Sequence, residues 1–465
     1  KRPVQQTASS PIRTLRETAV LAVLLAELLS PLASEITGKT LGLNFASPTL
    51  FVALLLGLIV VVLLAGAYPA LALASFKTVN ILKGKLALNT TNNGLRKGLV
   101  VFQFTISGLL IISALTVQLQ IHFLKNKELG IDRQHVILQP THEGLAEDFD
   151  LYRQLLLDIP GVADVSITNN NPLKQFNGTF GISWPGKEDP NENIMFGQVQ
   201  TDGRFIDLLG LELLEGRNFS ESMQADSNKL IINEKAASLM GMEQPVGQRV
   251  NWGEIPMEII GMIKDYHFRP LNYEISPLIM VASGNYTPRY VLVKTEPQDL
   301  AATMESWETL HQQFASDYPF EYEFLDETFN QLYKSETQTG NIANAFAWMA
   351  LFISCLGLLG LSAFASARRS KEISIRKVLG ASVTSIVTLL SKEFLGLIAI
   401  ALLVATPLAY YFMEQWLADF AYHIELDWWI FLSAAIFMLL VAFLTMSWQS
   451  IKAALINPAT ILKGE

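Results

Sequence analysis

SKEFLGLIAIALLVATPLA, residues 391–409, lies without a gap over LRETAVLAVLLAELLSPLA, residues 15–33. Glu393 falls on Glu17, Leu397 on Leu21, and Pro407, Leu408 and Ala409 on Pro31, Leu32 and Ala33. Each copy is followed by a short loop, a further apolar run and a polar tail. The tails end alike, ILKGK at 81–85 and ILKGE at 461–465. Chance likeness between apolar helices would not also align the proline, the glutamate and the tail. The repeated unit is a pair of membrane-length helices. Residues 13–85 read as the last two spans of a first unit, and residues 95–465 as a complete second one. A duplicated membrane module suits two halves that move against each other.

The composition fits a membrane protein. Of 465 residues, 50% are hydrophobic and only 17% charged, against about 25% charged in soluble domains; the mean hydropathy is +0.31. A bilayer needs about 20 apolar residues per helix. Six runs qualify as candidate spans: 18–33, 50–74, 99–117, 342–365, 394–413 and 429–446. The first is interrupted by Glu27 and Pro31.

Lysine and arginine fix the orientation, because positive loops stay cytoplasmic. Arg13 and Arg16 precede the first span, and Lys77, Lys83, Lys85, Arg96 and Lys97 lie between the second and third. Arg368, Arg369, Lys371, Arg376 and Lys377 lie between the fourth and fifth, and Lys452 and Lys463 follow the sixth. The other side receives Glu414, Asp419, Glu425 and Asp427, together with most of the chain's Asp and Glu in 125–340. One topology satisfies every loop: both termini inside and one large domain outside. The net charge of −9 belongs to that acidic domain and implies no nucleic-acid partner.

The outside domain reads as α+β, in two subdomains because of its size. Strand-like runs at 165–168, 229–232, 258–263 and 290–294 are bounded by Gly, Pro and Asn, with helical patterns at 234–240 and 299–315. The expected order is an unassigned segment 1–12, two spans in 13–85 and a cytoplasmic linker 86–97. Span three follows at 98–123, then the outside domain at 124–340 and a last domain with spans four to six at 341–465. The chain opens on Lys1 with no signal-peptide pattern, so it is expected to be the C-terminal part of something longer.

Chemistry-bearing motifs are scarce. The single cysteine, Cys355, sits in an apolar run, which excludes an intrachain disulfide and a cysteine metal cage. The sequence holds no GxxxxGK[ST] phosphate loop, GxSxG elbow or HExxH site. The six histidines are scattered, His267 and His311 among them, and read as surface or satisfied core residues. An acid within a span is a functional candidate by default. Glu27 is one, yet its counterpart in the later copy is Leu403, which favours a structural, helix-facing role. In ARRSKEISIRKVLGAS, residues 367–382, apolar Ile373, Ile375, Val378 and Leu379 punctuate a basic, helix-prone run that Gly380 can end. Such a helix could lie on lipid headgroups or dock into a partner's groove.

RRSKEISIRKVLGAS and the apolar sequence after it, through SWQSIKAALINPATILKGE, resemble the C-terminal permease domain of the FtsX-like/MacB-like ABC transporter family. RKGLVVFQFTISGLLII, DGRFIDLLGLELLEGRNF, LIINEKAASLMG, PVGQRV and MEIIGMIKDYHF resemble that family's inserted periplasmic core domain. The resemblance covers about residues 95–465, and its closest layout is the form with two permease domains. It implies a bacterial inner-membrane protein with a periplasmic domain, working by mechanotransmission: a separate cytoplasmic ABC ATPase dimer binds ATP, and the membrane helices pass its motion outward for export. No cofactor is then expected in this chain itself. A second permease unit or a periplasmic adaptor are further expected partners beside the lipid bilayer. Lys371, Glu372, Ile375, Arg376, Lys377, Leu379 and Gly380 correspond to the ATPase-facing coupling helix. KRPVQQTASSPI at the start does not resemble a coupling helix. The alternative class is a regulatory membrane protein that activates a periplasmic partner such as a cell-wall hydrolase.

Overall fold

The computed structural model describes residues 3–38 and 91–455, apart from 143–144, 146–147, 175–176, 190–191, 221–222 and 283–287, and isolated positions between 48 and 60. It divides into two compact units. A helical unit contains the residues up to Gln118, Glu336–Met413 and those from Leu426 onward, and a sheet unit contains Leu119–Ser335 and Glu414–Glu425.

The helical unit opens with two long helices, α1 (Pro3–Thr37) and α2 (Thr91–Asn126), the last residues of α2 belonging to the sheet unit. Five candidate spans occur among the described residues: Val20–Thr37, Lys97–Asn126, Lys334–Arg368, Val383–Leu417 and Trp428–Lys452. The apolar run at 50–74 lies almost wholly outside the described residues. Pro31 does not break α1, which also takes up most of the unassigned 1–12 segment. Helices at membrane depth tolerate an interior proline where nearby groups meet the freed carbonyls.

The sheet unit begins with β1 (Val136–Pro140), α3 (Phe149–Leu157), β2 (Val162–Thr168), β3 (Gly178–Thr179), β4 (Ile182–Ser183) and β5 (Phe196–Thr201). Next come α4 (Phe205–Leu208), β6 (Leu213–Gly216), β7 (Lys229–Asn233), α5 (Glu234–Leu239), β8 (Arg249–Trp252) and β9 (Ile255–Ile263). The unit ends with β10 (Leu278–Ala282), β11 (Tyr290–Thr295), α6 (Leu300–Phe314), β12 (Glu323–Phe324) and α7 (Leu325–Leu332). The chain continues as α8 (Lys334–Arg368), the short α9 (Ser370–Val378), α10 (Val383–Leu417) and α11 (Trp428–Leu455).

The strands form one mixed sheet in the order β12-β1-β11-β2-β5-β10-β7-β9-β8-β4, with β3 on β5 and β6 on β9. The β5–β10 and β7–β9 pairs are parallel. Alternation along each strand sorts the core. Leu138, Ile231, Met280 and Leu292 face a cluster that runs from β1 to β9. Their neighbours Ile137, Val291 and Val293 pack on the other side with Tyr152 and Trp307. Leu230, Ile232, Ile279 and Val281 pack there in a separate cluster.

The two halves of the sheet meet at a single pair, Thr168 opposite Thr201. This seam is polar and buried. Ser166 Oγ donates to Asp202 Oδ1 at 2.6 Å, and Thr201 Oγ1 donates to the Ile167 carbonyl at 2.6 Å. Arg153 stands 3.6 Å from Asp202. Burial pushes the Asp202 carboxyl above its ordinary value, against the pull of Ser166 and Arg153. One ladder pair and these side-chain bonds join the two half-sheets, and the sheet unit as a whole is one compact unit.

In lipid there is little hydrophobic drive between helices, so close contact and hydrogen bonds hold them. α11 buries every fourth residue: Ile430, Ala434, Met438, Ala442, Met446 and Ser450. A Cβ on Gly108 of α2 would stand 3.1 Å from Ala405 Cβ and 3.4 Å from Met438 Sδ, so this glycine sets the approach of α10 and α11. Ser107 and Ser354 share a buried hydrogen bond of 2.8 Å between α2 and α8. Thr105 Oγ1 donates to the Val101 carbonyl and also to that of Ala401. Cys355 is half-buried on the same core.

Candidate coupling site

α9 carries the expected coupling residues. Its basic, short sequence lacks the apolar length to cross a membrane, and it stops at Gly380. The Gly380 φ is +91°, a left-handed conformation that favours glycine. The Ala381 amide then donates back to the Arg376 carbonyl at 3.0 Å, closing the helix end. Ser382 Oγ accepts from the Ser385 amide at the start of α10.

The amphipathic pattern divides in an informative way. Ile373 is buried against Ile386, and Ser374 is buried beside it. Ile375, Val378 and Leu379, at helical spacing on one side, are exposed, Leu379 to 81%. The apolar residues therefore serve two faces, one holding α9 to its own unit and one left uncovered. Glu372 and Arg376 form an ion pair of 2.8 Å one turn apart, both half-exposed. Lys377 is partly buried, Gly380 is exposed, and Lys371 is placed on the helix by its backbone. The structure brings all seven predicted residues onto one helix and its cap.

Glu393, the residue matched to Glu17 in the repeat, lies within α10 and gathers the neighbouring helix ends. It accepts from Lys97 Nζ at 2.9 Å and Arg369 Nη2 at 3.3 Å. Glu27 is exposed on α1, with no partner among the described residues.

The short acidic loop after the fifth span is more than a connection. Residues Glu414–Glu425, between α10 and α11, belong to the sheet unit. Phe420 is buried in its core, stacked edge-on with Trp416. Gln120, itself fully buried, donates to the Tyr422 carbonyl at 3.0 Å and accepts from the Ile424 amide at 2.9 Å. The Tyr422 ring meets His267 edge to face at 4.9 Å, with Lys127 Nζ 4.6 Å from its centre. Burial and the nearby Lys127 charge push the His267 imidazole down to about 4.

The other predicted histidine is a satisfied core residue. His311 accepts from Gln139 Nε2 at 2.7 Å, and its other nitrogen meets the Tyr318 carbonyl at 3.2 Å. Gln139 Oε1 accepts from Tyr152 and Trp307 in turn, and burial pushes the Tyr152 hydroxyl up to about 12. Among the described residues, no cluster of three His, Cys, Asp or Glu could hold a metal ion.

Comparisons with known proteins agree with both units. Residues 344–458 match the family model of the FtsX-like permease C-terminal domain, and residues 102–310 that of the MacB-like periplasmic core domain. The chain is 22% identical over 324 residues to the uncharacterized ABC transporter permease YknZ of Bacillus subtilis (strain 168), covering 66% of this chain and 81% of that protein. It is 24% identical over 214 residues to the macrolide export ATP-binding/permease protein MacB 2 of Aeromonas hydrophila subsp. hydrophila, covering 43% of this chain and 33% of that relative. The chain thus matches only about a third of the length of MacB 2. The crystal structure of the periplasmic region of MacB from Actinobacillus actinomycetemcomitans aligns at 13% identity and a TM-score of 0.32, over 44% of this chain and 95% of that one. With residues 102–310 matching the MacB-like periplasmic core domain and residues 344–458 the FtsX-like permease C-terminal domain, the chain belongs to the FtsX-like/MacB-like ABC transporter permeases.

Proposed function

We propose that this permease works by mechanotransmission: a separate cytoplasmic ATPase dimer drives α9, and the helices carry the motion to the periplasmic domain for export or extraction of a substrate. The chain itself is non-catalytic in this reading, with ATP bound by the partner. Both termini lie in the cytoplasm and the sheet unit lies outside the inner membrane. The observation that carries the reading is the loop Glu414–Glu425, which is folded into the sheet unit by Phe420 and Gln120. The chain enters or leaves the periplasmic domain at the ends of α2, α8, α10 and α11, so a shift of these helices is passed on through the backbone at those junctions. At the other end, the uncovered Ile375, Val378 and Leu379 offer an apolar patch of the kind that docks in a partner's groove, with Glu372 and Arg376 beside it.

The test is reconstitution with the cognate ATPase. Ile375→Asp with Leu379→Asp should leave membrane insertion intact, abolish co-purification of the ATPase and remove its stimulation. Full stimulation by this double variant would sink the reading.

A further inference from the structure

We propose that the cleft between the ends of α2, α8 and α10 is a binding site for an anionic phospholipid of the adjoining leaflet. The cleft has a volume of about 120 Å³. Its rim carries Lys97, Arg368, Arg369 and Glu393, three cations against one carboxylate. Its wall is apolar, formed by Val100, Leu361, Phe364 and Leu397 among others.

Depth is the first argument. The candidate spans begin at Lys97 and end at Arg368, so the rim falls where an apolar span meets the headgroup layer. Charge is the second. Glu393 is engaged closely by Lys97 at 2.9 Å and more loosely by Arg369 at 3.3 Å. Arg368 is exposed and has no ion pair among the described residues. Two adjacent guanidiniums can grip one phosphate through paired N–H donors. Basic pockets between membrane helices on the cytoplasmic side suit acidic headgroups.

The wall distinguishes a lipid from a free anion. Phe364 is 50% exposed, and with Leu361 and Leu397 it continues the cleft along the apolar helix surfaces, where an acyl chain runs. A phosphate held by Arg368 and Arg369 would leave Lys97 on Glu393. It would also sit at the residue that immediately precedes α9, tying lipid to the position of that helix.

The full chain, purified in detergent, is mixed with equal amounts of phosphatidylglycerol and phosphatidylcholine, and retained lipid is counted by native mass spectrometry. Wild type should retain phosphatidylglycerol preferentially. Arg368→Gln with Arg369→Gln should reduce that retention about tenfold, and Lys452→Gln, outside the cleft, should not. Phe364→Ser, which keeps every charge, should weaken retention as well and guards against a misfolded arginine variant. Undiminished phosphatidylglycerol retention in both variants overturns the proposal. Displacement of the lipid by excess inorganic phosphate would show a simple anion site and overturn it equally.

Discussion

Gln120 holds Tyr422 by its backbone: the side-chain Nε2 donates to the Tyr422 carbonyl at 3.0 Å while Oε1 accepts from the next-but-one amide, Ile424, at 2.9 Å. One glutamine side chain thus meets two main-chain groups of the 414–425 loop. Gln120→Ala leaves both without that partner, a cost of about 2 kcal/mol. Gln120→Glu removes the donor and sets a carboxylate against the Tyr422 carbonyl. Hydrogen exchange on the full-length protein should show the Ile424 amide opening faster in both variants, with β9 protection unchanged. Undisturbed protection at Ile424 would mean that Phe420 alone anchors the loop.

The same junction should respond to acid. The folded-state value of His267, about 4, lies below its ordinary 6.5. A depressed histidine contributes stability that is present above about 6.5 and lost as pH falls through the window down to about 4. The charged ring would then face Lys127 beside Tyr422. Loop protection should therefore weaken between those values, and His267→Phe should flatten that dependence. A histidine signal titrating near 6.5 by NMR would refute this.

How much of this was legible beforehand depends on what each residue type advertises. Strands β7, β9 and β11 fall within a few residues of the runs read at 229–232, 258–263 and 290–294, because each holds consecutive buried apolar residues, Leu230–Ile232, Ile259–Ile260 and Val291–Val293. β5, read as no strand, is FGQVQT. Its Gln200 and Thr201 are buried in the polar seam, so it carries no apolar period to find. Helix α9 was legible from spacing, since its cap needs a glycine and its faces need Ile373 and Ile375. The docking of 414–425 was not, because Tyr422 finds His267 and Gln120 155 and 302 residues away, and nothing local signals such contacts.

Asp226 gives the sheet unit an acid-sensitive lock of opposite chemistry. Its buried carboxylate accepts from Arg217 through both oxygens, at 2.7 and 3.1 Å, and from the Ser220 amide at 2.7 Å. The Arg217 hydrogen bonds hold its carboxyl far below the usual range, with Ser220 and Lys229 helping against the opposing effect of burial. A depressed carboxylate contributes stability above its unfolded value of 3.8 that is lost as pH falls through the lower folded value. Asp226→Ala should cost about 3 kcal/mol at neutral pH, and its deficit against wild type should shrink once the pH drops below 3.8. Thermal melts across pH decide it.

Within the membrane, small residues should matter more than apolar bulk. Gly108→Leu must displace Ala405 and Met438, and should lower the thermal stability of the detergent-solubilised protein well beyond Leu109→Ala, which only trims a half-buried side chain. Ser107 and Ser354 should couple by about 0.6 kcal/mol in a double-mutant cycle, the usual size for such bonds in bilayers. Additive single effects would assign their burial to packing alone.

Helix α9 offers the most functional test, that of the proposed coupling role. Glu372→Lys replaces the ion pair with Arg376 by a like charge one turn away, which costs the helix only about 0.5 kcal/mol. The charge beside the apolar patch is nevertheless inverted. Gly380→Pro acts through the backbone, because proline cannot adopt the +91° φ of the cap. The chain must then leave α9 in another direction. Both variants should insert and retain the 414–425 contacts, as hydrogen exchange at Ile424 can verify, yet ATP turnover should no longer drive transport. Should both keep full activity in the reconstituted complex, α9 is not where the ATPase engages. The exposed Leu379 would then need a different partner.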